Sequence, residues 1–235
     1  MNHRKVIQSV IDRIGAQDYL EIGVNKGACF LPIQARCKIA VDPDFQIPRL
    51  RRARWALRNL GSRYFRMTSD DFFAQAGSSL RCDVVFIDGL HTYEQSRQDA
   101  ENALQVLNEG GVILMHDCNP PNAAAAQPSG SPAQAGALGL PGWTDEWCGD
   151  VWKTICALRR RKDLRVFVID GDCGLGVVTR GPSAGGPELT DAELQKLGYA
   201  DLERDRARWL DLKPESVLPG FLAGLGRVGR AAAKA

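Results

Sequence analysis

Two of the chain's three histidines sit in short motifs that also carry acids, Phe86-Ile-Asp-Gly-Leu-His-Thr-Tyr93 and Leu114-Met-His-Asp117. Each motif lies at the end of an apolar run of strand type, residues 83–87 and 112–115. An imidazole titrates near neutral pH, so it suits proton transfer, and a neighbouring carboxylate can orient it. Asp88, His91, His116 and Asp117 are therefore the candidate reaction-site residues. Ligands of open α/β sheets bind outside the carboxyl ends of the strands, which is where these four are expected. Loop anchoring by hydrogen bonds is the competing reading of the His-Asp pair.

A second set of residues suits ligand binding. Tyr19-Leu-Glu-Ile-Gly-Val-Asn-Lys-Gly27 reads as a strand entering a turn, with a helix starting near the second glycine. Glycine lets backbone approach a ligand and take positive φ. A helix N-terminus offers N–H groups and partial positive charge to a carboxylate or phosphate. Glu21, Gly23, Asn25 and Gly27 are thus cofactor-binding candidates. Asp42 ends the next strand, about 20 residues past the turn, where an acid can accept from both hydroxyls of a ribose. Ser69 and Asp70 follow a weaker third strand and are candidates for the base of a nucleoside; Ser-Asp-Asp also reads as an N-cap for a helix from Phe72.

The elements that must position these residues can be read from periodicity. Val6, Ile7, Val10, Ile11 and Ile14 recur at helical spacing. Strands are expected at 18–22, 38–41, 64–67, 83–87 and 112–115, most of them separated by stretches of helical length. Thr92 and Gln95 match a capping box, Ala100, Ala103, Leu104 and Leu107 form one face, and Gly110 is the expected stop. Strands at 164–169 and 175–179 are joined by five residues, too few for a crossover, so they form an antiparallel hairpin. The expected fold is α/β, a Rossmann-like doubly wound, mostly parallel sheet with a C-terminal antiparallel hairpin strand. Residues 1–181 are the expected domain and 182–235 a linker, two helices (the first capped by Thr190 and Glu193, the second over 201–212) and a frayed tail. Residues 120–142 are rich in Ala, Pro, Gly and Ser and read as a lid or a disordered loop.

FIDGLHTYEQSRQDAENAL followed by GGVILMHDCNP resembles the bacterial class I group called methyltransferase family 24. GDVWKTICALR, DLRVFVIDGDCGLGVV and DLERDRARWLDL extend the resemblance over roughly residues 15–215. More distantly, the chain resembles macrocin-type sugar O-methyltransferases and catechol O-methyltransferase. The glycine turn is similar to motif I of class I methyltransferases, E/D-x-G-x-x-x-G. The resemblance implies S-adenosyl-L-methionine as cofactor and O-methylation of a small-molecule or glycan acceptor. In metal-dependent relatives three ligands come from the ends of strands four and five, and those positions here are Asp88, His116 and Asp117. Mg²⁺ or Mn²⁺ there would chelate a diol and acidify a hydroxyl, although His116 departs from an oxygen-only set. The rival mechanism takes His91 or His116 as general base.

Composition narrows the alternatives. A net charge of +2 gives no global reason to expect nucleic acid as a partner. The Arg49–63 run reads as a solvated helix face covering the sheet, with Trp55 and Leu57 interleaved. No apolar stretch reaches the ~18 residues of a membrane span, and the first residues do not read as a signal peptide. Seven cysteines, odd in number and without a CxxC pair, are expected as reduced thiols of a cytoplasmic protein rather than as disulfides or a zinc site. GxxxG in place of GxGxxG, together with the hairpin, argues against a NAD-binding oxidoreductase. A metal-dependent hydrolase or a non-catalytic scaffold could use the same fold, and homo-oligomerisation is left open.

Overall fold

A computed structural model describes residues 2–76 and 79–229. They form two compact units, each discontinuous in sequence. One holds residues 2–89, 99–113 and the chain beyond 219; the other holds residues 90–98 and 114–219.

The first unit opens with α1 (His3–Ile14), whose five periodic apolar residues are all buried. Asn2 caps it by accepting from the Lys5 N–H, and Gly15 ends it at φ 69°. β1 (Asp18–Ile22) pairs in parallel with β2 (Cys37–Val41) and with β4 (Cys82–Ile87), and β2 pairs in parallel with β3 (Ser62–Phe65). With β5 (Leu107–Met115) the strand order is β3-β2-β1-β4-β5. The order reverses between β1 and β4, which makes their carboxyl ends a topological switch point. β4 is buried at every position, as expected of a strand covered on both faces.

Leu114 and Met115 carry β5 into the second unit, where β7 (Leu175–Arg180), β6 (Leu164–Ile169) and β8 (Leu212–Lys213) follow in that order. β6 and β7 form the expected antiparallel hairpin, from Leu164 opposite Arg180 to Ile169 opposite Leu175. β8, a pairing without a sequence signal, adds to β6 in parallel. The chain is thus of the α/β class, with a mostly parallel sheet that includes the antiparallel β6/β7 pair.

Several expectations change. α4 (Tyr93–Val106) ends four residues before Gly110, and β5 begins at once. The Asn108 amide donates to Asp83 at 2.7 Å, and a Cβ on Gly111 would fall 2.8 Å from the Asp83 carbonyl oxygen. Those glycines allow close backbone approach within a strand rather than stopping a helix. At the start of α4, Thr92 accepts from the Gln95 N–H at 3.4 Å, as the expected box requires.

The arginine-rich stretch forms α2 (Arg49–Trp55) and a 3₁₀ turn over Ala56–Asn59, neither with a buried residue. It is solvated, as expected: Leu57 is 85% exposed, while Trp55 is half-buried and Arg52 lies over the Tyr64 ring of β3. Residues 120–142 are not featureless, since α5 (Pro132–Ala137) is capped by Ser131, and Ala124, Ala125 and Ala126 are buried. The single helix expected at 201–212 is two, α8 (Tyr199–Arg204) and α9 (Arg206–Leu210), broken at Asp205 (φ −150°). α7 (Asp191–Lys196) has the expected Thr190/Glu193 box. α10 (Leu218–Gly224) occupies part of the expected frayed tail, whose last residues, 230–235, lie outside the described residues.

In the second unit, α6 (Trp152–Arg159) is buried along its whole length. Trp152 is 1% exposed, so it is core rather than a stacking surface. Trp152→Ala is expected to cost about 3–5 kcal/mol, the range for emptying a buried aromatic site, measured by urea unfolding. A loss under about 1 kcal/mol would mean that Trp152 is not part of the packed core.

Candidate active site

In the first unit the glycine turn follows β1 directly. Gly23 has φ 82° and donates its N–H to the Val41 carbonyl at 2.9 Å. A Cβ there would fall 1.9 Å from the carbonyl oxygen of Asp88, so the close approach of the two strand ends requires glycine. Gly27 has φ 65°. The helix expected after it is absent: residues 25–32 are a run of turns. Asn25 (φ 45°) and Gly27 are both left-handed, and Pro32 lacks an N–H, so no regular ladder can propagate. Any ligand group bound here meets turn N–H groups, not a helix end.

Asp42 follows β2 and is 7% exposed. One carboxylate oxygen accepts from the Asn25 N–H and the other from the Asp44 N–H, both at 2.7 Å. It therefore anchors the glycine turn to the end of β2. An ionised carboxylate has about four lone-pair sites, so two remain for a diol. Asp88 ends β4 and donates its N–H to the Ile22 carbonyl at 2.9 Å. Ser69 is buried in the first turn of α3 (Ser69–Ala76) and Asp70 is exposed. The N-cap of that helix is Thr68, which accepts from the Asp71 N–H, rather than the Ser-Asp-Asp sequence.

Glu21 lies inside β1, 1% exposed, and its Oε2 accepts from the Tyr19 hydroxyl at 2.5 Å. Burial is the main cause that pushes its carboxyl up to about 8, with Asp88 adding to the rise. Lys38, also buried, donates to the carbonyls of Phe30 and Ile33 and to Asn59. Burial pulls its ammonium down to about 8, against the pull of Glu21.

In the second unit His91, His116 and Asp117 come together. Asp117 follows β5 at φ 60°, a strained conformation for a non-glycine residue. Its Oδ2 lies 3.0 Å from His116 Nδ1 and 3.3 Å from His91 Nε2. His91 Nδ1 lies 2.7 Å from the carbonyl oxygen of Trp147, which can only accept, so that nitrogen carries a proton. The Trp147 indole stacks on the His91 ring with centroids 4.8 Å apart. His116 Nε2 points toward Asp172, 3.9 Å away.

The hairpin turn is held against this strand end. The N–H groups of Cys118 and Asn119 donate to the carbonyls of Gly174 and Cys173, at 3.1 and 2.7 Å. Asp172, Cys173 and Gly174 are all left-handed. Two side chains that the sequence reading did not single out, Cys148 and Cys173, meet Asp117 here. They are 25 positions apart, so no spacing rule could have joined them. Asn119 bonds to Asp170 and to Arg206.

A family model described as a methyltransferase domain, the family that the sequence resembles, matches residues 20–118. Over those residues the chain is similar to that domain family. The match spans β1 to the end of β5 and so includes Asp42, Asp88, His116 and Asp117; it is shorter than the resemblance read from the sequence. No curated protein matches the chain.

Solved structures agree on the fold. An O-methyltransferase from Bacillus cereus, in complex with SAH, superposes with a TM-score of 0.55 at 15% identity over 76% of this chain and 80% of that one. An O-methyltransferase of tomaymycin synthesis from Streptomyces achromogenes, in complex with SAM, gives 0.54 at 14% identity over 76% and 79%. A methyltransferase from Podospora anserina gives 0.52 at 14% over 75% and 76%. Among the described residues, no helix is long and apolar enough to cross a membrane.

The buried acid of β1 gives this domain a pH signature. A carboxyl whose folded pKa lies above its unfolded value binds its proton more tightly when folded, so its contribution to stability falls as pH rises from about 4.5 to about 8. Glu21→Gln has no proton to lose. Its unfolding free energy relative to the parent should rise across that window by a few kcal/mol, as chemical denaturation at several pH values would reveal. A constant difference would show that Glu21 is ionised throughout.

Proposed function

We propose that the chain transfers a methyl group from S-adenosyl-L-methionine to a hydroxyl of a sugar, glycan or natural-product acceptor. The observation that carries this reading is the pairing of the glycine turn with the buried Asp42 carboxylate at the β1/β4 switch point. The residues fit the donor: Gly23 and Gly27 leave the turn without side chains, and Asp42 keeps acceptor capacity for a ribose diol. Glu21 and Asn25 support the turn from the strand and from its left-handed corner. Ser69 and Asp70, at the positive end of α3, would face the nucleoside base. When bound, the donor supplies an electrophilic methyl on a sulfonium. The names of the Bacillus and Streptomyces structures, crystallised with SAH and SAM, support the same cofactor and O-methylation.

On the acceptor side, His116 is the better base of the two histidines. Its Nδ1 faces the Asp117 carboxylate and so holds a proton, which leaves Nε2 as the nitrogen that takes one. Asp117 then stabilises the imidazolium that forms, as a carboxylate behind a basic histidine does in other enzymes. His91 has its two nitrogens against the Trp147 carbonyl and Asp117. It positions Asp117 rather than taking a proton. Asp88 follows β4 in the first unit, where its backbone holds the glycine turn close. An imidazole among Asp88, His116 and Asp117 departs from the oxygen-only coordination that Mg²⁺ prefers, and the mechanism takes no step through a cation at those three residues. Residues 1–181 carry this chemistry, and 182–235 form the C-terminal extension.

Calorimetric titration tests the donor. S-adenosyl-L-methionine should bind and NAD should not, and Asp42→Asn should weaken donor binding by about 1–3 kcal/mol, because one acceptor oxygen becomes a donor. Unchanged affinity would sink the ribose assignment, and binding of NAD alone would favour an oxidoreductase. With a panel of hydroxylated acceptors, His116→Gln should lower kcat by about 10²–10⁴-fold while donor affinity holds. Retention of kcat would shift the base to another group.

A further inference from the structure

The second unit holds two cysteines beside Asp117 that the methyl-transfer reading does not use. Cys148 Sγ, Cys173 Sγ and a carboxylate oxygen of Asp117 all lie within 4.8 Å of one another. Three separate pieces of chain deliver them, and each is pinned. Cys148 and Gly149 both donate their N–H groups to the Ala125 carbonyl at 2.9 Å. A Cβ on Gly149 would fall 1.7 Å from the His91 carbonyl oxygen. Cys173 is held in the left-handed region at φ 58°, and its carbonyl accepts from Asn119 at 2.7 Å. A Cβ on Gly174 would fall 2.3 Å from Asn119 Cβ. Asp117 is itself left-handed and accepts from His116 Nδ1. Each cysteine thus precedes a glycine whose lack of a side chain lets the backbone close on a strand end.

The charges of this cluster favour a cation. Two thiols and a carboxylate, all but Cys173 buried, point at one small volume. We infer that Asp117, Cys148 and Cys173 form a three-ligand site for a soft divalent cation of the zinc type. Two thiolates and a carboxylate match the tetrahedral preference of Zn²⁺ and leave one position for water or a further ligand. On binding, the thiol protons pass to solvent and two thiolate bonds and one carboxylate bond form to the ion. His116, donating to Asp117 from Nδ1, is then the outer-shell partner that fixes the carboxylate, an arrangement common at metal sites. The inference stands apart from the methyl-transfer reading, because it needs no donor and no acceptor.

Titration of the reduced, metal-stripped full chain with Co²⁺ reads the ligands directly. Thiolate-to-cobalt absorption should grow to an equimolar end point and disappear when Zn²⁺ is added. Cys148→Ser and Cys173→Ser should each cut the thiolate band to about half and weaken binding at least as much as loss of an outer-shell partner, ~10–100-fold. Cys37→Ser, at an exposed cysteine in the first unit, should leave the band intact. Cobalt spectra without a thiolate band, or a band unchanged in Cys173→Ser, would overturn the site. Should a variant fail to fold, the parent protein still decides. Equimolar Zn²⁺ should slow alkylation of Cys173 but not of Cys37, followed by mass spectrometry, and equal rates for Cys173 with and without zinc would refute it.

Discussion

One carboxylate in an unfavourable backbone conformation organises the chemistry of the second unit. Asp117 sits at φ 60°, where only the surrounding structure can hold a residue with a Cβ. Holding it there turns Oδ2 toward two imidazoles, at 3.0 and 3.3 Å, instead of outward along the strand. The strain is met by neighbouring bonds: the next two N–H groups in the chain donate to the hairpin turn that follows β6. Because that turn also carries Asp172 and Cys173, the β6–β7 hairpin does more than complete a sheet. It supplies the opposite wall of the cluster around Asp117.

The first unit shows the same economy with a different acid. Asp42 accepts two backbone N–H bonds, one of them from the glycine turn, and so fixes the relative position of the ends of β1 and β2. A residue that anchors a loop and one that binds a ligand are often treated as alternatives. Here the anchoring bonds occupy only half of the carboxylate's acceptor sites, so both roles are physically compatible. Behind this turn lie Glu21 and Lys38, buried ionisable groups whose hydrogen bonds go to Tyr19 and to backbone carbonyls rather than to each other. Burial raises the Glu21 carboxyl to about 8, so it is neutral at neutral pH, while Lys38, lowered to about 8, stays mostly charged there and is held by carbonyl acceptors.

Much of this was legible in the residues. The buried face of α1, the bounds of β1, the hairpin and the Thr190 cap follow from periodicity, loop length and capping chemistry, all local properties. The errors came where tertiary contact overrode a local signal. Gly110 looked like a helix stop but lies inside β5, where Gly111 beside it lets the strand approach the Asp83 carbonyl. Leu57 looked like a covering residue but is exposed. Ser69-Asp70 looked like a cap, while Thr68 one residue earlier does the capping. The turns at 25–32 replaced a helix because two left-handed residues interrupt any ladder there.

By itself, the sequence determined the alternation of strands and helices, the glycine turn with its later acid, and the placement of histidines at strand ends. Each depends on residues near one another along the chain, where side-chain type alone sets the preference. Only the tertiary structure decided which nitrogen of each histidine faces Asp117, and that Cys148 and Cys173 share its surroundings. Those facts depend on backbone hydrogen bonds between segments tens of residues apart, and no local preference encodes them.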